Sequence, residues 1–224
     1  MKKIFLPLLL AFLLPALVAC TGSRFAGYSL NERDASSAIK QLLQLGAQDN
    51  FLTGAFSKEN VMTTVFPEGV RKVLNTVQML GLTNEVDRFT TTMGAASEKA
   101  AQASIPVFVS AIDNMQFNDA MRIVKSGGTA ATDYLRSSAG ANLRNAIKPA
   151  VEEALQEYKL NEQWDKIVKP LGGNRINLDL STLMAGMVSE AMFRKIAEKE
   201  QEVRSQAAAR TTPLLQKVFS RNWN

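Results

Sequence analysis

Two short stretches carry cations where a folded chain can hold an anion. Lys125-Ser126-Gly127-Gly128-Thr129 sets a lysine beside a glycine turn that leads into a helix start. Backbone N–H groups at such a start attract negative charge by geometry and by dipole together. The turn lacks the G-x-x-x-x-G-K-[ST] frame, so it is not a nucleotide loop, and an ordinary interhelical turn is the competing reading. The second stretch holds Arg204, Arg210 and Thr211. Arg204 lies four residues after Glu200, and that spacing predicts a surface ion pair, with a buried clamp as the alternative. A guanidinium grips a carboxylate or phosphate with two hydrogen bonds, where lysine offers a point charge. Lys125, Gly127, Gly128, Thr129, Arg204, Arg210 and Thr211 are therefore candidates for binding an acidic partner group, with Arg210 foremost. The alternative for Arg210 is that it ties the terminal helix to the bundle through Glu200 or a helix C-terminus.

Most catalytic chemistry is excluded by composition. The chain has no histidine and a single cysteine, so His-based triads and His/Cys metal sites have no residues to form from. Neither a metal nor a cofactor is expected. Ser37 and Lys40 match S-x-x-K, and Lys125-Ser126-Gly127 matches the K-[ST]-G element of penicillin-recognising enzymes. That element belongs on a strand beside the nucleophile. Here Lys125 ends a predicted helix and no S-D-N intervenes, so a solvated helix face and a helix-stop loop are expected instead. Glu152 and Glu153 are adjacent and diverge on a helix, which does not make a glycosidase pair. Met184, Met187 and Met192 suit either a core or a lipid-lined pocket, and core packing is expected.

The one cysteine, Cys20, follows a basic start (Lys2, Lys3), an apolar run from Ile4 to Val18 and a small residue, Ala19. These are the parts of a secretory signal, and the run is short for a membrane span. Leu17-Val18-Ala19-Cys20 also resembles the bacterial lipobox, which implies acyl chains on Cys20 and a stable membrane anchor. The alternative is an ordinary signal peptide with a cysteine nearby by chance. A lone exported thiol would be a redox liability, and lipidation removes it. Of the 26 basic side chains, two leave with the leader, which leaves 24 against 21 acidic ones. The charges are interspersed, so no basic block points to nucleic acid.

Helices must position these groups. Ser29-Leu30-Asn31-Glu32 has capping-box spacing ahead of Ile39, Leu42 and Leu43. Pro67 opens a helix over Val70, Leu74 and Val77 that stops at Gly81. Thr83 can cap the next, through Val86, Phe89 and Met93, which Pro106 ends or kinks. Val107 to Ile112 then restarts an apolar helical stretch. Asn118 caps a short helix closed by Gly127-Gly128, and another begins near Thr129. Leu143, Ile147, Val151 and Leu155 mark one longer helix with Pro149 inside it, and Trp164, Ile167 and Val168 mark a short one. Asp179 caps the longest helix, whose apolar face is Met184, Met187, Val188, Ala191 and Ile196. Glu190, Arg194, Glu198 and Glu202 form its solvated edge, with Glu190 and Arg194 paired. Thr212 and Pro213 begin a terminal helix. The short runs Pro106-Val-Phe-Val and Asn177-Leu-Asp-Leu could be strands, but each flows into helical spacing, and no fixed repeat is present. The class is all-α: a compact bundle of about nine helices in a single domain, with no sheet. The expected boundaries are a signal peptide over 1–19, a lipidated tether over 20–28 and a helical domain over 29–224.

The stretches FPEGVRKVLNTVQMLGLTNEVDRF, AIDNMQFNDAMRIVKSGGTAATDYLR and IAEKEQEVRSQAAARTTPLLQKVF, in that order, resemble a bacterial family of exported, largely helical proteins, domain of unknown function 4197. The resemblance covers nearly all of residues 29 to 219 and implies the helical fold without an activity. Gly94-Ala95 after Met93 and Ala207 before the final Ala-Arg-Thr-Thr depart from the family's usual residues.

The expected protein is a lipoprotein of the cell envelope, held to the membrane through Cys20. Thr21 follows the cysteine where an aspartate would favour inner-membrane retention, so the periplasmic face of the outer membrane is expected. It is a non-catalytic interaction or structural module that meets an envelope protein and no nucleic acid. The runner-up is a periplasmic carrier or sensor of an apolar, lipid-like ligand, and an enzyme comes third.

Overall fold

The computed structural model describes residues 28–48, 55–57, 60, 62, 66–172 and 178–223. Among them are nine α-helices and no strand. We label them α1 (Glu32–Gln48), α2 (Glu68–Met79), α3 (Thr83–Asp113), α4 (Ala120–Ser126), α5 (Ala130–Ala146), α6 (Lys148–Glu157), α7 (Leu160–Val168), α8 (Leu180–Ser205) and α9 (Pro213–Phe219). The proposed signal peptide and Cys20 lie outside the described residues.

Helix α8 is the hub, packing on α1, α3, α5 and α6. Met187, Val188, Ser189, Ala191, Met192 and Phe193 are all buried, so this helix is enclosed on most of its circumference. A helix surrounded by others needs apolar residues nearly all round. The core forms one continuous cluster between Ala35 and Phe219. Aromatic contacts knit its ends: Phe89 lies between Phe66 and Trp164, and Phe108 meets Phe193 edge-on at 5.5 Å. No helix among the described residues is long and apolar enough to cross a membrane.

Side-chain caps settle several starts. Asp179 accepts from the Thr182 N–H at 3.0 Å, and Thr212 from the Leu215 N–H at 3.2 Å, as the spacing predicts. Helix α1 is capped by Asn31, which accepts from the Asp34 N–H at 2.9 Å, and not by Ser29. Glu32 reaches away instead, accepting from the Ala120 and Met121 N–H groups at the start of α4. Asp119 rather than Asn118 caps α4, accepting from the Arg122 N–H.

Proline behaves unlike the sequence expectation at two sites. Helix α3 continues through Pro106 instead of ending there, and with 31 residues it is the longest of the described helices, ahead of α8 with 26. Pro106 and Gln102 are both exposed, so the carbonyl that Pro106 cannot satisfy opens to water. Ser104, Phe108 and Ile112 hold the helix in the core on either side. Conversely, the expected helix through Leu143 and Leu155 is two helices. Ile147 ends α5, and Pro149 sits in the first turn of α6, where its missing N–H costs nothing.

Candidate functional site

Glu200 organises the C-terminal half of the molecule. It sits on α8 with 0% exposure. Its Oε1 accepts from the Ala131 N–H at 3.0 Å, and its Oε2 from the Thr132 N–H at 2.8 Å and the Thr132 hydroxyl at 2.7 Å. These N–H groups open α5, directly after the glycine turn. The anion expected at that helix start is thus a carboxylate of the chain itself. A helix N-terminus favours such a charge, because its first N–H groups lack partners within the helix.

Arg204 completes the node, so the expected surface pair with Glu200 is instead a buried one. Nε and Nη2 donate to Glu200 Oε1 at 2.9 and 2.8 Å. The remaining donors reach the last turn of α4: Nη1 to the Val124 carbonyl at 2.9 Å and Nη2 to that of Ile123 at 3.2 Å. The guanidinium stacks 5.1 Å over the Phe219 ring of α9. One ion pair therefore caps the end of α4 and the start of α5 while joining α8 to α9. The i,i+4 spacing could not reveal this, because the capping partners lie about seventy to eighty residues away in sequence.

Arg210 plays a related part at the end of α8. Its Nε donates to the Val203 carbonyl and its Nη2 to that of Arg204, both at 2.9 Å. These carbonyls have no intrahelical partner. The helix C-terminus is thus the tie that Arg210 makes, and Glu200 is not.

The two predicted stretches meet in one groove. It has a volume of about 370 Å³ and contains Lys125, Arg204, Arg210 and Arg221, with no Asp or Glu among the described residues that line it. Gly127 and Gly128 form one wall, with φ of 69° and 56°. A side chain at either position would strain the turn. Lys125 is exposed and makes no ion pair or hydrogen bond among the described residues. Thr129 turns aside, its hydroxyl donating to Asp133 at 2.9 Å, and Thr211 is exposed outside the lining.

Sequence reasoning missed Arg221 and Trp223, which complete the groove. Arg221 donates from Nη1 to the Tyr28 carbonyl at 3.0 Å, and the Trp223 ring meets Tyr28 edge-on at 5.9 Å. Tyr28 is itself clamped: its hydroxyl donates to Asp34 at 2.6 Å, and the Lys217 ammonium lies 3.7 Å from its ring centre. Tyr28 is the first described residue, so the groove adjoins the point where the chain leaves towards Cys20. No local spacing carries this signal, because the contacts of Arg221 and Trp223 with Tyr28 join residues more than 190 positions apart.

Other sequence candidates disperse. Lys40 donates to the Asp113 carbonyl at 2.5 Å, and the Ser126 hydroxyl donates to that of Arg122 at 2.9 Å, both in helical settings. Glu190 pairs with Arg136 of α5 rather than with Arg194. Met184, Met187 and Met192 are buried in the core. A second groove, of mixed charge, lies beside Lys159, the only non-glycine residue with positive φ among the described residues (51°).

No curated protein and no solved structure matches the chain. The family described as "Protein of unknown function (DUF4197)" matches residues 29–220, a span that contains every helix described above, and the chain belongs to that family.

Proposed function

We propose that the protein is anchored to a membrane of the cell envelope by acyl chains on Cys20 and works there as a non-catalytic interaction module. Its docking site is the basic groove, which meets an acidic group. The carrying observation is the gathering of Lys125, Arg210 and Arg221 from separate parts of the chain around one opening that no Asp or Glu lines among the described residues. Cations brought together this way repel one another, and an anionic ligand relieves that repulsion. Arg204 lies at the back of the groove and is already committed to Glu200. The lipobox spacing at Cys20 supports the anchor, and Thr21 after it supports the outer membrane. The carrier reading is weaker, because the methionines that suggested it are packed as core.

Two measurements in cells test the two halves. Labelled palmitate should enter the native chain and not the Cys20→Ser variant, and equal labelling of both would refute the anchor. A photocrosslinker placed at position 125 should give discrete envelope adducts that one at exposed position 72 does not. Identical adduct patterns from both positions would remove the groove as the docking site.

A further inference from the structure

We propose that the occupant of the basic groove is the phosphate of anionic phospholipid headgroups in the membrane that holds the protein, which makes the groove a second membrane contact beside the anchor. The proposal rests on the anchoring reading of Cys20 and names the partner of the same site.

The first observation is where the chain leaves the fold. Tyr28 is eight residues from Cys20, and eight residues reach at most about 29 Å when fully extended. Arg221, at the rim of the groove, holds the Tyr28 carbonyl directly. An acylated Cys20 therefore keeps the groove within a short distance of the lipid surface.

The second observation is charge. The lining holds four cations, and among the described residues the one anion bonded to them, Glu200, is fully buried and already takes two hydrogen bonds from Arg204. Lys125 is exposed with no partner among the described residues. Arg210 uses Nε and Nη2 on helix carbonyls, and Arg221 uses only Nη1. Each guanidinium thus keeps donors free for a phosphate oxygen. Clustered basic side chains near a membrane surface draw in anionic headgroups, and a basic patch strengthens an acyl anchor.

The third observation is Trp223, half-buried at the rim with its indole N–H on the Val218 carbonyl at 2.7 Å. Tryptophan favours the headgroup region, where an amphipathic ring lies between apolar and wet surroundings. A protein partner would not need the groove to adjoin the tether. A lipid headgroup does.

The test is lysine footprinting of the full chain as purified from membranes and mixed into vesicles. Acylation of Lys125 by a neutral amine-reactive reagent is read against that of Lys72, which is exposed on α2. In vesicles containing phosphatidylglycerol, the Lys125 to Lys72 ratio should fall about threefold or more relative to vesicles of phosphatidylcholine alone, and high salt should restore it. An equal ratio in both vesicles overturns the proposal. So does equal protection by inorganic phosphate without anionic lipid, which would mark a free-anion site. Protection that appears only after adding an envelope protein extract overturns it too, in favour of a protein partner. The intact mass of the same sample reports acylation separately. An acylated chain without differential protection removes the groove proposal and keeps the anchor. An unacylated chain that is still protected by anionic vesicles removes the anchor and keeps the groove.

Discussion

Glu200 is fully buried, and Arg204 beside it is largely so, with 12% of its side chain exposed. Taking two ions out of water is expensive, and their attraction offsets the cost only when the other donors and acceptors are also satisfied. Here they are: Glu200 accepts five hydrogen bonds, and Arg204 spends its remaining donors on two helix-end carbonyls. Removing one partner leaves the other charge buried and uncaps α5. Glu200→Ala is therefore expected to cost about 3–5 kcal/mol in urea denaturation. Glu198→Ala, two residues away and paired only at the surface with Lys195, should cost about 0.5 kcal/mol or less. If Glu200→Ala costs no more than Glu198→Ala, the node is ornamental and α5 is held by packing alone. In the sequence the two glutamates look alike, since each is a helical acid with a basic residue three or four positions away. Only burial separates them.

Helix α1 meets α8 closely enough that backbone touches backbone. A Cβ on Gly46 would lie 2.8 Å from the Ile196 Cα, and neither helix can give way without disturbing the shared core. Gly186, within α8, has open space where its Cβ would stand. Alanine is favoured over glycine in a helix interior by about 0.8–1 kcal/mol, so propensity alone predicts that both substitutions stabilise. Packing reverses the sign at one of them. Gly46→Ala should lower stability by about 1–3 kcal/mol, as overpacking does, and Gly186→Ala should raise it by about 0.5–1 kcal/mol. Denaturant midpoints of the two variants decide the matter, and a stabilised Gly46→Ala would mean that the α1–α8 contact is looser than the structure has it. The elements themselves were largely legible. Asp179 and Thr212 cap where their spacing says, and Gly127 stops α4. The fate of Pro106 was not, because it depends on which face of α3 the core leaves to solvent.

At the scale of the whole molecule, the described residues begin and end in the same place. Tyr28, Asp34, Lys217, Arg221 and Trp223 form one cluster that fastens the exit towards Cys20 to the terminal helix. The Tyr28 hydroxyl holds the Asp34 carboxyl below its usual range, helped by Lys217 and Asn31. Burial, and then the bond to Asp34, push the Tyr28 phenol well above its usual 10.0. The signs set a window. A depressed carboxyl contributes stability above its usual 3.8, lost as pH falls below it. A raised phenol contributes stability below 10.0, lost as pH rises beyond it. Wild type should therefore melt about 2–4 °C above Tyr28→Phe between those limits. The gap should close towards pH 3 and towards pH 11. A gap that is constant across the whole range would mean that the ring contributes through packing and the hydroxyl contributes nothing.

The sequence by itself determined the class, most helix starts and stops, and a short list of candidates for meeting an anion. These depend on residues within a turn or two of one another: apolar periodicity, a cap three residues from its N–H, glycine at positive φ. The tertiary structure alone decided which of those groups are spent and which are free. The spacing of Glu200 and Arg204 reads as a surface pair, and Arg210 reads as a group that grips a partner or ties the terminal helix down. All three close helix ends because α8 passes the end of α4 and the start of α5, and then turns back on itself at Arg210. Lys125 and Arg221, nearly a hundred residues apart, share a groove because α9 folds against α8. Orphan helix-end groups must find partners wherever the packing leaves them, and no spacing rule encodes a partner that arrives from another part of the chain.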